Sequence, residues 1–347
     1  MKHAVRMLIC IILFVIPVSA VEYTAPEIPQ FAKENMPDDL DSFPDALVGM
    51  IRKSIAVLRP DLQDSARLCC SVICMVLVIS VLNTFDTHIK TAGLLAGTLG
   101  ISAMLLQSTG AMIRLAETTV IRLRDYGNLL LPVMAGALAA QGRVTSSTGM
   151  YLGTAVFDAV LGTLLSTVFV PAVYLYLAFA IAAAACSDNG LTQLCSMIKG
   201  SISWFLKTIL TVFTTYMSIT GVISGTTDAA ALKATKLTIS TMVPVIGGIL
   251  SDASESVLIG AGIMKNAAGM YGIIAVLALF LEPFLRIGIH YLVLKITNLI
   301  CGVFGEKQIS ALIGDYSSAM GMLLAVTGAM CLLLLISTVC FMKGTVL

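Results

Sequence analysis

Glu282, Arg286 and His290 follow one another at intervals of four and so fall on one stripe of a helix, which Thr297 continues one to two turns later. Glutamate four residues before arginine is the favourable order for an ion pair along a helix. Glu282 reads as a helix cap, with Pro283 at the first helical position. Such a ladder offers either a path for protons or a polar solute, or an internally neutralised pair that fixes how the helix is turned. A second set lies upstream, where Asp252-Ala253-Ser254-Glu255 has the form of a capping-box helix start. Gly260-Ala261-Gly262 and then Lys265-Asn266 follow it. Earlier in the chain, Gln141 to Gly149 is also polar, and the two stretches read as polar constrictions of one cavity or as ordinary interhelical loops. Asp158 stands alone in the apolar stretch 149–169, as a functional carboxylate or one hydrogen-bonded across helices.

Catalytic signatures are missing from the sequence. It has no glycine-rich phosphate loop, no His-Glu-x-x-His and no Gly-x-Ser-x-Gly. The three histidines (His3, His88, His290) do not cluster, and the nine cysteines form no Cys-x-x-Cys and read as small buried hydrophobes. We therefore expect no enzyme, no cofactor and no metal. An intramembrane enzyme would need a nucleophile and a base within hydrogen-bond reach.

The elements that carry these residues are apolar to a degree no soluble core can hide. Of 347 residues, 58% are hydrophobic and 12% charged, against roughly 45–50% and about 25% in soluble domains. A lipid bilayer must cover much of the chain. The net charge of +1 lacks the basic field that nucleic acid requires. Lys2, His3 and Arg6 before the apolar run Met7–Pro17, with Val18-Ser19-Ala20 after it, have the layout of a secretory signal peptide over residues 1–20. Residues 21–65 read as an extracytoplasmic segment: acidic and proline-broken to 45, then amphipathic helix from Ala46 to Leu58.

Residues 66–347 form the expected multi-spanning membrane domain, all-α and polytopic. Its apolar segments fall near 68–83, 91–113, 128–140, 149–169, 171–186, 202–223, 239–250, 267–281, 284–300 and 318–341. Segments 128–140 and 239–250 are too short to cross, since a span needs about 20 residues, and so are expected as short re-entrant helices. Pro132-Val133 recurs as Pro244-Val245, 112 residues on, and the same offset carries Pro171 onto Pro283. This order suggests an internal two-fold repeat (halves about 127–225 and 239–341) with proline-broken helices, a pattern that points to a transport pathway. Orientation is contradictory. An exported N-terminus puts 114–127 outside, whereas Arg114, Arg122 and Arg124 belong inside by the positive-inside rule, so either one early apolar segment does not span or 114–127 is an amphipathic helix within the assembly. The loops with Lys199 and with Lys233 and Lys236 add modest cytoplasmic signals.

The stretch Val243–Ile296 resembles the stage III sporulation protein AE family of endospore-forming bacteria. The resemblance rests on Pro244-Val245-Ile246-Gly247, the Ser251–Glu255 turn, Lys265-Asn266-Ala267 before Gly269 and Gly272, the proline-centred helix after them, and Met320-Gly321. It implies a multi-pass protein of the mother-cell membrane facing the forespore. It further implies assembly with the other stage III sporulation A-operon proteins and, through them, stage II sporulation protein Q, in a transenvelope channel. The family supplies no catalytic residues. Two functions follow as expectations. One is a transport subunit, its pathway lined by Asp252, Glu255, Lys265, Asn266, Glu282, Arg286, His290 and Asp158. The other is a structural hub that anchors ring-forming partners without conducting.

Overall fold

In the computed structural model, the backbone is described for residues 43–82, 87–186, 189–242, 247–304 and 307–343, and the side chains of 221–265 lie outside the described residues. The signal-peptide expectation, the acidic segment up to residue 42 and Pro244 also lie outside them. The described residues contain helices and no strand. They are α1 (Phe43–Val57), α2 (Arg59–Leu82), α3 (Thr87–Ala140), α4 (Val144–Leu164), α5 (Val170–Cys186), α6 (Asn189–Met242), α7 (Gly247–Phe304) and α8 (Lys307–Lys343). A π-helical turn, Leu165–Phe169, joins α4 to α5. Six helical stretches among the described residues are long and apolar enough to cross a membrane. The chain is thus an all-α, polytopic membrane protein.

The ten apolar segments of the sequence merge into fewer, longer rods. Segment 128–140 is no separate re-entrant helix: it is the last part of α3, a 54-residue helix that contains Pro132. The charged stretch 114–127 is helical too. Ala116, Val120, Leu123 and Tyr126 turn inward at helical spacing while Arg114 and Asp125 stay exposed. This is the amphipathic-helix alternative of the sequence reading, since a helix can carry such charges on one face. The described parts of 239–250 are the end of α6 and the start of α7. Lys199 belongs to α6 rather than to a loop.

The prolines do not break their helices. α7 runs through Pro283 without interruption, so Glu282 is no cap, and Asp252 to Glu255 lie inside α7 rather than at its start. In a packed membrane bundle, neighbouring helices and local π adjustments absorb the hydrogen bond that proline removes. Pro171 shows this directly. It has no N–H for the Thr167 carbonyl, and the wider π turn immediately upstream takes up the misfit.

Packing follows from close approaches. α7 and α8 form an antiparallel hairpin: Ser310 Oγ donates to Asn298 Oδ1 at 2.8 Å near its turn, and Gly269 lies against Met342 at the far end. This hairpin is the centre of the bundle; 50% and 61% of the most apolar windows of α7 and α8 are buried, against 17% for α2 at the rim. α3 lies antiparallel to α7, Ser108 meeting His290 and Leu130 meeting Gly272. α2 runs parallel to α7, with Asp61 beside Arg286 and Cys69 beside Thr297. On the other side, α4 packs antiparallel to α6 through Thr154–Met217 and Phe157–Phe213. Gly153 lets the Tyr216 ring come so close that a Cβ there would sit 1.9 Å from Cε1. Between α3 and α4, Gly142 takes φ 80°, the left-handed cap geometry that ends α3, and Ser147 Oγ donates to the Ala135 carbonyl at 2.6 Å. The polar stretch 141–149 is therefore an interhelical turn and the first part of α4.

Candidate functional site: a polar seam between α2, α3 and α7

The stripe read from the sequence on α7 faces two other helices, and each of its members meets a partner there. Arg286 Nη2 contacts Glu282 Oε1 at 2.9 Å, the i,i+4 pair expected. Arg286 Nε also lies 3.3 Å from Asp61 Oδ2, in the first turn of α2. One guanidinium thus bridges two carboxylates. Glu282 is the deepest of the three, its side chain 9% exposed against 32% for both Arg286 and Asp61. The Asp61 contact is an ion pair without hydrogen-bond alignment, since Asp61 Oδ2 and Arg286 Nε are shielded from water and have no hydrogen-bond partner. One turn on, buried His290 shares a hydrogen bond with Ser108 of α3, Nε2 to Oγ 3.2 Å. Further along, Thr297 Oγ1 donates to the Val293 carbonyl at 2.7 Å and lies 2.8 Å from Cys69 Sγ.

Beside this seam is a cavity of about 390 Å³, lined by both acceptors and donors: Asp61, Asp64, Gln107, Ser108, Arg286 and His290. Its mixed charge, in a half-open cleft between apolar helices, suits a small polar or ionic occupant, or water. The Ser108–His290 pair meets the distance a hydroxyl nucleophile and base require. Ser108 and His290 lie well inside α3 and α7, so the backbone N–H groups next to this pair are taken up by those helices. Among the described residues, no three of His, Cys, Asp and Glu converge in a way that could hold a metal ion.

Of the other candidates, Asn266 and Asp158 do not join the seam. Asn266 is exposed near the other end of the described part of α7. Asp252, Glu255 and Lys265 lie on α7, but their side chains are outside the described residues. Asp252 precedes Glu282 by 30 residues on that one helix, roughly 45 Å of rise at about 1.5 Å per residue. Asp158 is buried on α4, next to α3. Sequence reasoning missed Asp61 and Ser108, although Pro60-Asp61 carries a helix-start signal. It also missed a second polar contact, where Tyr176 of α5 donates to Asp315 Oδ1 of α8 at 2.7 Å and Lys199 of α6 donates to Ser318 Oγ at 3.2 Å. Nothing local in the sequence pairs those residues.

A bundle of long apolar helices with a half-buried ion bridge and a polar cavity defines a multi-pass helical membrane protein with a charged seam between its helices. The model of one family, stage III sporulation protein AE, matches residues 36–344, and the chain belongs to that family. It is similar to the stage III sporulation protein AE of Bacillus subtilis (strain 168), 21% identical over 182 residues. That match covers 52% of this chain and 46% of the relative, so the chain spans about half the length of the curated protein it matches. No solved structure matches it.

Proposed function

We propose that this protein is the membrane-embedded transport subunit of the stage III sporulation complex, acting between mother cell and forespore during endospore formation. Membership of the family gives it a role in sporulation. The transport reading is supported by one observation above the others: Arg286 holds Glu282 and Asp61 together beside a polar cavity at the meeting of three helices. Ionisable residues within a membrane bundle are rare and are a functional-site hypothesis by default. In this reading the protein sits in the mother-cell membrane, recruits the other A-operon proteins, and connects through them to stage II sporulation protein Q. The order of Pro171 and Pro283, each inside a continuous helical run, suits two related halves around the pathway.

Complementation of a null strain separates transport from a purely anchoring hub. Asp61→Asn, Glu282→Gln and Arg286→Gln are expected to reach the membrane and assemble with their partners while forespore development stops. If all three sporulate at the wild-type level, the seam is not a pathway.

A further inference from the structure

Asp158 is the one charged residue within α4, and it is 2% exposed. Among the described residues, its Oδ1 has no hydrogen-bond partner. An ionised carboxylate offers about four acceptor sites and is expensive to bury with any of them empty. The charged groups that act on it are Arg124 and Asp125, both of α3. α6 meets this part of α4 with Phe213 and Met217, and α8 has no charged residue between Asp315 and Lys343. Arg124 reaches along Gly162, one turn after Asp158. Its Cδ and Nη1 are 3.0 and 3.6 Å from where a Cβ at Gly162 would be. Its Nη2 is at present 3.5 Å from Asp125 Oδ1, on the more exposed side of α3.

We propose that Asp158 is a proton-binding site, neutral in the arrangement seen, whose carboxylate is received on deprotonation by Arg124 turning away from Asp125 across Gly162. The reaction is loss or gain of one proton at the Asp158 carboxyl; Arg124 keeps its protons throughout and no other bond changes. Arg124 has two carboxylates within a side-chain rotation and can neutralise one at a time. The small Gly162 leaves the surface free for that rotation, and the π turn at Leu165–Phe169 lies two to three turns from the carboxyl, a type of irregularity frequent at functional sites. The ligand is a proton, the simplest species that a transmembrane gradient can supply. The proposal stands on α3 and α4 alone and does not require that the α2–α3–α7 seam conduct.

The test is carbodiimide labelling of the full chain in lipid nanodiscs. Dicyclohexylcarbodiimide partitions into apolar protein and adds to a carboxyl only when it is protonated, leaving an N-acylurea that peptide mass spectrometry locates. Asp158 should be labelled, the label should decline as pH rises, and Asp158→Asn should remove it. Arg124→Gln withdraws the counter-ion, so at a pH where wild-type labelling has largely gone it should retain about tenfold more adduct. Asp125→Asn, at an exposed position that folding does not depend on, releases Arg124 and should move the decline to lower pH. No adduct at Asp158 at any pH, in protein whose buried Cys195, Cys301 and Cys331 remain protected from thiol reagents, would overturn the proposal. So would a pH profile that neither variant at Arg124 nor that at Asp125 moves.

Discussion

Removing Arg286 should harm the bundle more than removing either carboxylate it holds. Arg286→Met takes from Glu282, whose side chain is only 9% exposed, the guanidinium at 2.9 Å that it shares with Asp61. Truncating one partner of a fully buried pair costs about 3–5 kcal/mol. Arg286 and Asp61 are each about one-third exposed, so water recovers part of this, and roughly 2–4 kcal/mol remains. Glu282→Gln is milder because Arg286 keeps Asp61 at 3.3 Å; about 1–2 kcal/mol is expected for the lost charge-assisted bond. The double variant should fall short of the sum by about 1–2 kcal/mol, since the neutral glutamine no longer needs the cation. The native thiols provide the assay. With exposed Cys70, Cys74 and Cys186 blocked first, heating in lipid nanodiscs unmasks buried Cys195, Cys301 and Cys331 to a fluorogenic maleimide. If Glu282→Gln lowers the unmasking temperature as much as Arg286→Met, the idea that Arg286 serves two carboxylates is wrong.

Two further outcomes follow from packing. Gly153→Ala forces a methyl to within 1.9 Å of the Tyr216 ring and breaks the 3.0 Å hydrogen bond from Tyr216 to the Gly149 carbonyl, so it should destabilise by about 2–4 kcal/mol. Gly110→Ala, with open space around it, should be neutral or slightly stabilising in the same thiol assay. Tyr176→Phe leaves Asp315 without its 2.7 Å donor and should cost about 1–3 kcal/mol. Asp315→Asn should cost less, because the amide oxygen still accepts from the hydroxyl; equal thermal shifts for the two would refute the assignment.

Local spacing made one part of this site legible in the sequence. Glu282 and Arg286 are paired as their four-residue interval demands, and His290 and Thr297 do share their face. The partners of that face were not legible, because Asp61, Ser108 and Cys69 come from helices more than 180 residues away in the chain, and no local rule selects them. Helix ends were misplaced for a related reason. Proline and charge are sound stop signals where water competes for the backbone. Inside a bundle covered by lipid the unmatched backbone group has nowhere better to go, and the helix continues through Pro132 and Pro283. The carboxyl of Asp158 was visible as an oddity, yet only the fold shows that Arg124 is the cation beside it.

The conflict over orientation also resolves into geometry. The arginines at 114, 122 and 124 are not in a loop that must choose a side; they lie midway along α3, which at 54 residues extends roughly 80 Å. A hydrocarbon core is about 30 Å thick, so no placement of the bilayer can enclose all of α3 if the helix stands upright. The outward stripe of α3 is apolar at Leu95, Leu99 and Leu106, mixed from Arg114 through Thr118 and exposed Ile121 to Asp125, and apolar again at Leu129. Its contacts put the ion bridge and Asp158 at different heights: Ser108 meets His290, one turn from Arg286, whereas Arg124 lies on Gly162, one turn from Asp158. The two levels are 16 residues apart on α3, roughly 24 Å at about 1.5 Å per residue. The exposed charges of α3 cannot face hydrocarbon at mid-depth, where each would cost at least about 2.5–3.5 kcal/mol. They must meet headgroups or water. Where the exposed side of α3 meets neither, another protein surface has to supply the polar partners that lipid cannot.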